Sequence, residues 1–147
     1  MLRMILAFSA AALVVCSSLH AADLAAAKCP VSGEAVSKDA SIDYKGGKLY
    51  FCCKDCAATF AKDKAKYAAK ANKQLVVTGQ AVQKSCPLTG NPTNASTAID
   101  VGGAKIAFCC NGCKGKVSKM TPAQQVKAIF ADKVFDKNFE IKKASAE

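Results

Sequence analysis

The sequence predicts an α+β protein built from two tandem small modules, each a short hairpin followed by a cysteine turn and a helix. Two observations carry that prediction. Sliding the chain against itself by 57 residues superposes Cys29-Pro30 on Cys86-Pro87, Gly33 on Gly90 and Ile42-Asp43 on Ile99-Asp100 without a gap. The same shift brings Gly46 onto Gly103, Lys48 onto Lys105, Phe51-Cys52-Cys53 onto Phe108-Cys109-Cys110, Cys56 onto Cys113 and Lys62 onto Lys119, giving 12 identities in the 34 positions from 29 to 62. Self-similarity at a fixed period marks a duplicated structural unit. The second observation is that four cysteines of each copy are among those identities, with 22 residues between the first and the Cys-Cys-x-x-Cys group.

The elements follow in chain order. Met1-Leu2-Arg3 is a short positive start, and Met4 to Val15 is an almost unbroken apolar run. It is shorter than the roughly 20 residues a membrane span requires. With the small residues that follow, residues 1–21 read as a secretory signal peptide cleaved after Ala21. The protein is therefore expected in the periplasm or cell envelope. A lipoprotein anchored at Cys16 is the alternative, disfavoured by the bulky Val15. Cleavage removes Arg3, Cys16 and His20, leaving 20 basic and 11 acidic residues, a net charge of +9. Such a charge can draw the chain to anionic surfaces. The lysines, however, are scattered through helical segments without interleaved aromatics, so solvated helix faces are expected and nucleic acid is not.

Module one is expected over residues 29–73. It opens on the turn Cys29-Pro30-Val31-Ser32-Gly33, continues through the apolar strand Lys48 to Phe51, and enters a helix from Ala57 to about Lys73, with Phe60 and Tyr67 on one face. Gly46-Gly47 and Gly102-Gly103 precede strands, so they belong to hairpin turns and not to phosphate loops. Asp43 and Asp100 are expected to cap those turns, and Phe51 and Phe108 to be core residues. Residues 74–85 have strand-like composition around Gly79 and are expected to form a hairpin or an extended connector. Module two spans 86–131, with a break at Thr121-Pro122, where Thr can cap a second helix running to about Phe130. The tail, 132–147, is weakly amphipathic through Val134, Phe135, Phe139 and Ile141 and is expected to fray into its last six residues, 142–147.

A module of about 50 residues buries too little apolar surface to offset its chain entropy, so it needs a metal ion or disulfides. Cys52 and Cys56 lie where a strand gives way to a helix and can direct both sulfurs at one centre, which the distant Cys29 closes. Three thiolates suit Cu(I), whereas Zn(II) wants a fourth ligand, a place open to Cys53. The same holds for Cys86, Cys109 and Cys113, with Cys110 as the auxiliary. One thiophilic ion per module is expected, and helix-start amides are expected to stabilise the Cys56 thiolate.

The segments Cys-Pro-Val-Ser-Gly and Tyr50-Phe51-Cys52-Cys53-Lys54-Asp55-Cys56, with Phe60 and Tyr67, resemble the YHS domain and the related TRASH domain. Module two is similar through Cys86-Pro87-Leu88-Thr89-Gly90 and Phe108-Cys109-Cys110-Asn111-Gly112-Cys113, with Val117 and Gln124 in place of the two aromatics. The resemblance covers residues 29–70 and 86–130. It implies a treble-clef, zinc-ribbon-like architecture, a role in heavy-metal trafficking, resistance or sensing, and the ligand sets Cys29, Cys52, Cys56 and Cys86, Cys109, Cys113. Relatives with a closed structural zinc site carry a second cysteine three residues after the first, where this chain has Ser32 and Thr89.

Two other readings stay open. Eight cysteines in a small exported chain can form four disulfides and staple an interaction module. Cys53-x-x-Cys56 and Cys110-x-x-Cys113 also have the dithiol pattern of a thiol oxidoreductase, without the thioredoxin-like strand and helix order. Hydrolytic or acid/base catalysis has little support, because His20 is the sole histidine and no Ser/His/Asp set can be assembled without it. The expected work is binding and delivery of copper or zinc to a metal transporter or acceptor protein, not catalysis.

Overall fold

A computed structural model describes residues 24–142. The expected signal peptide, with Cys16 and His20, lies outside the described residues, as does the end of the tail.

In module one, β1 (Ser37–Tyr44) and β2 (Gly47–Phe51) form an antiparallel hairpin, followed by α1 (Lys54–Lys62) and α2 (Lys64–Val77). In module two, β4 (Asn94–Val101) and β5 (Ala104–Phe108) form the matching hairpin, followed by α3 (Asn111–Ser118) and α4 (Pro122–Phe130). Between the modules lies β3 (Ala81–Gln83), and after them come α5 (Asp132–Asn138) and β6 (Phe139–Ile141). The four hairpin strands coincide residue for residue under the 57-residue shift. Their register coincides too, since Ile42 opposite Leu49 becomes Ile99 opposite Ile106 and both first strands carry an irregularity near their start.

Both hairpins turn through two residues of positive φ, Lys45 (51°) with Gly46 (83°) and Gly102 (61°) with Gly103 (88°). That conformation matches the right-handed twist of the flanking strands. Gly47 opens β2 and is required for a different reason: a Cβ there would stand 2.9 Å from Leu75 Cδ2. Asp100 caps its turn as expected, accepting from the Gly103 amide at 3.1 Å.

Two sequence expectations about these elements need correction. The helix expected from Ala57 to Lys73 begins at Lys54, breaks at Asp63 and continues to Val77. Asp63 leaves helical geometry (φ −142°, ψ 71°), and its carboxylate accepts from the Lys66 amide at 3.1 Å to start α2. Phe60 and Tyr67 thus sit on different helices, yet their rings remain 6.5 Å apart.

The connector is not a hairpin of its own. Its β-branched start, Val76-Val77, ends α2 in a Schellman motif, in which Gly79 (φ 69°) donates to the Val76 carbonyl and Gln80 to that of Leu75. Its remaining strand, β3, pairs with β6 from the tail, whose amphipathic stretch folds as α5 and β6, while 143–147, where fraying is expected, lie outside the described residues. Burial of Phe135 and Phe139, stacked 5.1 Å apart, holds the tail in place.

The second helix of module two agrees with the sequence: Thr121 accepts from the Gln124 amide, and the Gln124 side chain accepts from the Thr121 amide, a full capping box ahead of Pro122. One contiguous core joins both modules, with Leu49, Phe51 and Phe60 on one side and Ile106, Phe108 and Val117 on the other. Val117 takes the place that Phe60 holds in module one. A polar clasp spans the modules as well, for Asp132 accepts from Lys45 (3.1 Å), Asn72 (2.9 Å) and Tyr44 (3.3 Å).

The outer edges of β2 and β5 are closed by glutamine side chains acting as short surrogate strands. Gln74, buried, accepts from the Tyr50 amide at 2.8 Å and donates to the carbonyls of Tyr50 and Lys28 at 2.7 and 2.9 Å. Gln83 does the same for Ala107 and Ser85. Under the repeat, Ala107 corresponds to Tyr50 and Ser85 to Lys28, but the two glutamines do not correspond. Each ties the strand before the cysteine turn to the residue preceding the first cysteine of the same site. Gln74→Leu is expected to cost about 2–4 kcal/mol, because it leaves buried backbone groups unpaired. Denaturant unfolding of the reduced protein checks this, and a loss under about 0.5 kcal/mol would contradict it.

Candidate metal centre

Each site is assembled from a turn and a strand-to-helix junction. In module one the Gly33 amide donates to the Cys29 carbonyl at 2.9 Å and the Cys29 amide to Glu34 at 2.8 Å; Gly33 needs its φ of 84° to close this turn. Module two repeats it, with Gly90 to Cys86 at 2.7 Å and Cys86 to Asn91 at 2.8 Å. The turn buries Cys29 and Cys86 almost completely, at 1% and 0% exposure.

Opposite the turn, Cys52 and Cys109 follow the last residues of β2 and β5. Cys53 and Cys110 sit at the extended N-cap positions of α1 and α3 (φ −155° and −157°), and Cys56 and Cys113 lie in the first helical turn. The sulfurs of Cys29, Cys52 and Cys56 all lie within 4.8 Å of one another, and so do those of Cys86, Cys109 and Cys113. The Cys52 and Cys56 sulfurs are 3.5 Å apart, and those of Cys109 and Cys113 are 3.6 Å apart. Thiolates sharing one ion at a bond length of about 2.3 Å stand roughly 3.8–4.0 Å apart, so the donor set and its spacing fit a soft metal ion. A disulfide requires about 2.05 Å. No disulfide links the eight described cysteines.

The auxiliary cysteines occupy a distinct place. Cys53 is exposed, with its sulfur 3.8 Å from that of Cys52, and it stands outside the close group of three; Cys110 bears the same relation to Cys109, also at 3.8 Å. Ser32 Oγ lies 3.3 Å from the Cys52 sulfur and Thr89 Oγ1 3.4 Å from that of Cys109. A hydroxyl thus stands beside each trio on the turn side, and a free thiol on the solvent side.

The electrostatics divide the cysteines into donors already ionised and donors still protonated. Burial pushes the Cys29 thiol up, but the Ser32 hydroxyl and the amides of Ser32, Cys52 and Val31 converge on it and bring it down to about 6. Cys86 is likewise lowered to about 6 against its burial, by Thr89, Cys109 and Leu88. Cys56 is pushed up to about 12 by the Cys52 sulfur, by burial and by Cys53 and Cys29. Cys113 rises to about 12 through burial and the sulfurs of Cys109, Cys110 and Cys86. Clustered thiols share protons because their negative charges repel without a cation between them.

The helix-start amides act elsewhere than expected. They face Cys53, lowered first by the Cys56 amide, and Cys110, lowered first by the Cys113 amide, while Cys56 itself is raised. A side chain at the N-cap meets the free amides of the first turn, whereas one at the third helical position points past them.

A cation entering either trio must displace the proton of Cys56 or Cys113. Each bound ion is therefore expected to release about one proton or more at pH 7, with affinity rising up to about tenfold per pH unit for each proton released. Calorimetric zinc titration in two buffers of different ionisation enthalpy measures this; an apparent affinity that stays flat from pH 6 to 8 would refute it.

The cysteines grouped by their spacing, Cys29, Cys52, Cys56 and Cys86, Cys109, Cys113, come together as two three-sulfur groups. Sequence reasoning missed Gln74 and Gln83, because they lie outside the repeated positions, and the only hint was the glutamines at either end of a strand-like stretch. In comparison with known proteins, the chain matches no family model, no curated protein and no solved structure. What fold and site define is a cysteine-rich α+β protein of two small modules, each holding a three-sulfur group able to take one metal ion.

Proposed function

We propose that this protein is an exported carrier of a thiophilic metal ion, Cu(I) or Zn(II), which it buffers or passes to a metal transporter or acceptor protein of the cell envelope. The observation that carries the proposal is the occurrence of the same three-sulfur group twice, at Cys29, Cys52, Cys56 and at Cys86, Cys109, Cys113. The resemblance of both modules to the YHS and TRASH domains supports it, and binding, not catalysis, is the proposed role. A hydroxyl where a closed site would have its fourth sulfur favours exchange over permanent structural binding, because a low-coordinate ion keeps a position open to an incoming ligand. Cys53 and Cys110, exposed beside the trios, are proposed as the auxiliary ligands through which the ion enters and leaves.

Anaerobic purification from the cell envelope, followed by elemental analysis and thiol counting, is the test. Two equivalents of copper or zinc per chain with eight titratable thiols are expected. Protein without metal whose eight cysteines are oxidised would sink the proposal in favour of a disulfide-stapled interaction module.

A second reading rests on the inequality within each dithiol. Cys53 is exposed with a lowered thiol and Cys56 is raised to about 12, the asymmetry of an attacking and a resolving cysteine. Turnover of a disulfide substrate, abolished by Cys53→Ser, would establish that reading.

A further inference from the structure

Between α2 and α4, where the two modules meet, lies a cleft of about 760 Å³. Its volume falls within the range of about 300–1,000 Å³ typical of small-molecule sites. Five lysines line it: Lys28, Lys66, Lys70, Lys73 and Lys127. Between them the lining is apolar and short, with Ala65, Ala69, Ala123 and Val126, so the concavity exists because small side chains face each other across the two helices.

The charge of the cleft is only partly compensated. Among the described residues none of these five lysines is in an ion pair, and the one acidic residue of the lining, Asp132, is already engaged by Lys45, Asn72 and Tyr44. Lys73 is the most constrained of the five. It is half-buried, and its amine lies against Gly102 of the second hairpin, where a Cβ would stand 3.0 Å from Nζ. Burial and the neighbouring Lys70 both disfavour its charge, offset only in part by Asp100, so an anion there would relieve a standing cost.

We propose that this inter-module cleft binds one small amphipathic anion, an aliphatic chain bearing a phosphate or carboxylate head, with the head on Lys70 and Lys73 and the chain along the alanine-lined floor. Its concave shape, a half-open groove between two helices, favours a single free amphiphile over a bilayer surface, which would need a flat or convex basic face. The cleft shares Cys29 and Gly33 with the turn of the first three-sulfur group, but its lysines and alanines are not among the sulfur donors.

The probe is dodecyl phosphate, titrated calorimetrically below its micelle concentration into the whole protein. One molecule is expected to bind per chain, and inorganic phosphate and the equal-length cation dodecyltrimethylammonium are each expected to bind about tenfold more weakly or worse, a difference of about 1.4 kcal/mol. Charge reversal by Lys70→Glu with Lys73→Glu, and filling of the floor by Ala123→Phe on the exposed side of α4, are each expected to weaken dodecyl phosphate about tenfold or more. Reversal at the exposed Lys116 on α3, which does not line the cleft, is expected to leave it unchanged. Absence of saturable binding would overturn the proposal. So would equal binding of the cationic amphiphile, uptake of many molecules per chain, or indifference to both cleft variants, and the ligand comparison holds even if one variant fails to fold.

Discussion

Replacing Cys52 by serine is expected to empty the first metal site while leaving the second loaded, so that anaerobically reconstituted protein falls from two metal equivalents to one. The argument is geometric. The Cys52 sulfur lies 3.5 Å from that of Cys56 and completes the trio with Cys29, and a serine hydroxyl is both shorter and a poor ligand for a soft ion. Zinc binding in thiolate sites is worth about 10–16 kcal/mol in total, so each ligand carries roughly 3–4 kcal/mol, or two to three decades in Kd. Cys109→Ser is expected to produce the mirror result, and the double variant to bind no metal. Because the first cysteine of each trio staples a distant turn to the helix start, metal-loaded protein should also unfold at higher temperature than the apo protein, an increment that halves in each single variant. Two equivalents retained with undiminished affinity in Cys52→Ser would show that the ion is held elsewhere.

The converse change, Ser32→Cys, is expected to turn an exchanging site into a closed one. Ser32 Oγ already stands 3.3 Å from the Cys52 sulfur, so a thiol at this position arrives next to the trio without moving the backbone. A fourth thiolate gives Zn(II) the tetrahedral sulfur set it prefers, while Cu(I), content with fewer ligands, gains little. Zinc affinity is expected to rise by about 100-fold or more and zinc release to a chelator to slow in proportion, with copper affinity nearly constant. Thr89→Cys should repeat the effect in module two, where Thr89 Oγ1 is 3.4 Å from the Cys109 sulfur. Cobalt substitution gives a direct readout, since the absorption of a four-sulfur tetrahedral site differs from that of a three-sulfur site. An unchanged zinc release rate in Ser32→Cys would mean that position 32 does not face the ion.

How much of this was legible in advance follows from the range over which each determinant acts. The duplication, the two trios, the glycine turns and the Thr121-Pro122 helix start were legible because each is fixed by identity or spacing within a short stretch of chain. The two hairpins match the repeat residue for residue for the same reason. The end of α2 was misread because Val76-Val77-Thr78 favours a strand by local propensity. Tertiary burial of Leu75 and the Gly79 cap keep it helical.

The distribution of protons among the sulfurs lay beyond the sequence. Cys53 and Cys56 are near neighbours in the chain, yet one is lowered and the other raised, because one meets free helix amides and the other meets sulfurs arriving from the strand end and the distant turn. The sequence by itself determined that there are two like modules and which cysteines each contributes. Only the tertiary structure decided that the connector and the tail pair as β3 and β6, that unrelated glutamines close equivalent strand edges, and that lysines from both modules converge on one cleft. Those features join residues tens of positions apart through burial and hydrogen bonding, and such contacts leave no periodic or local mark in the order of the amino acids.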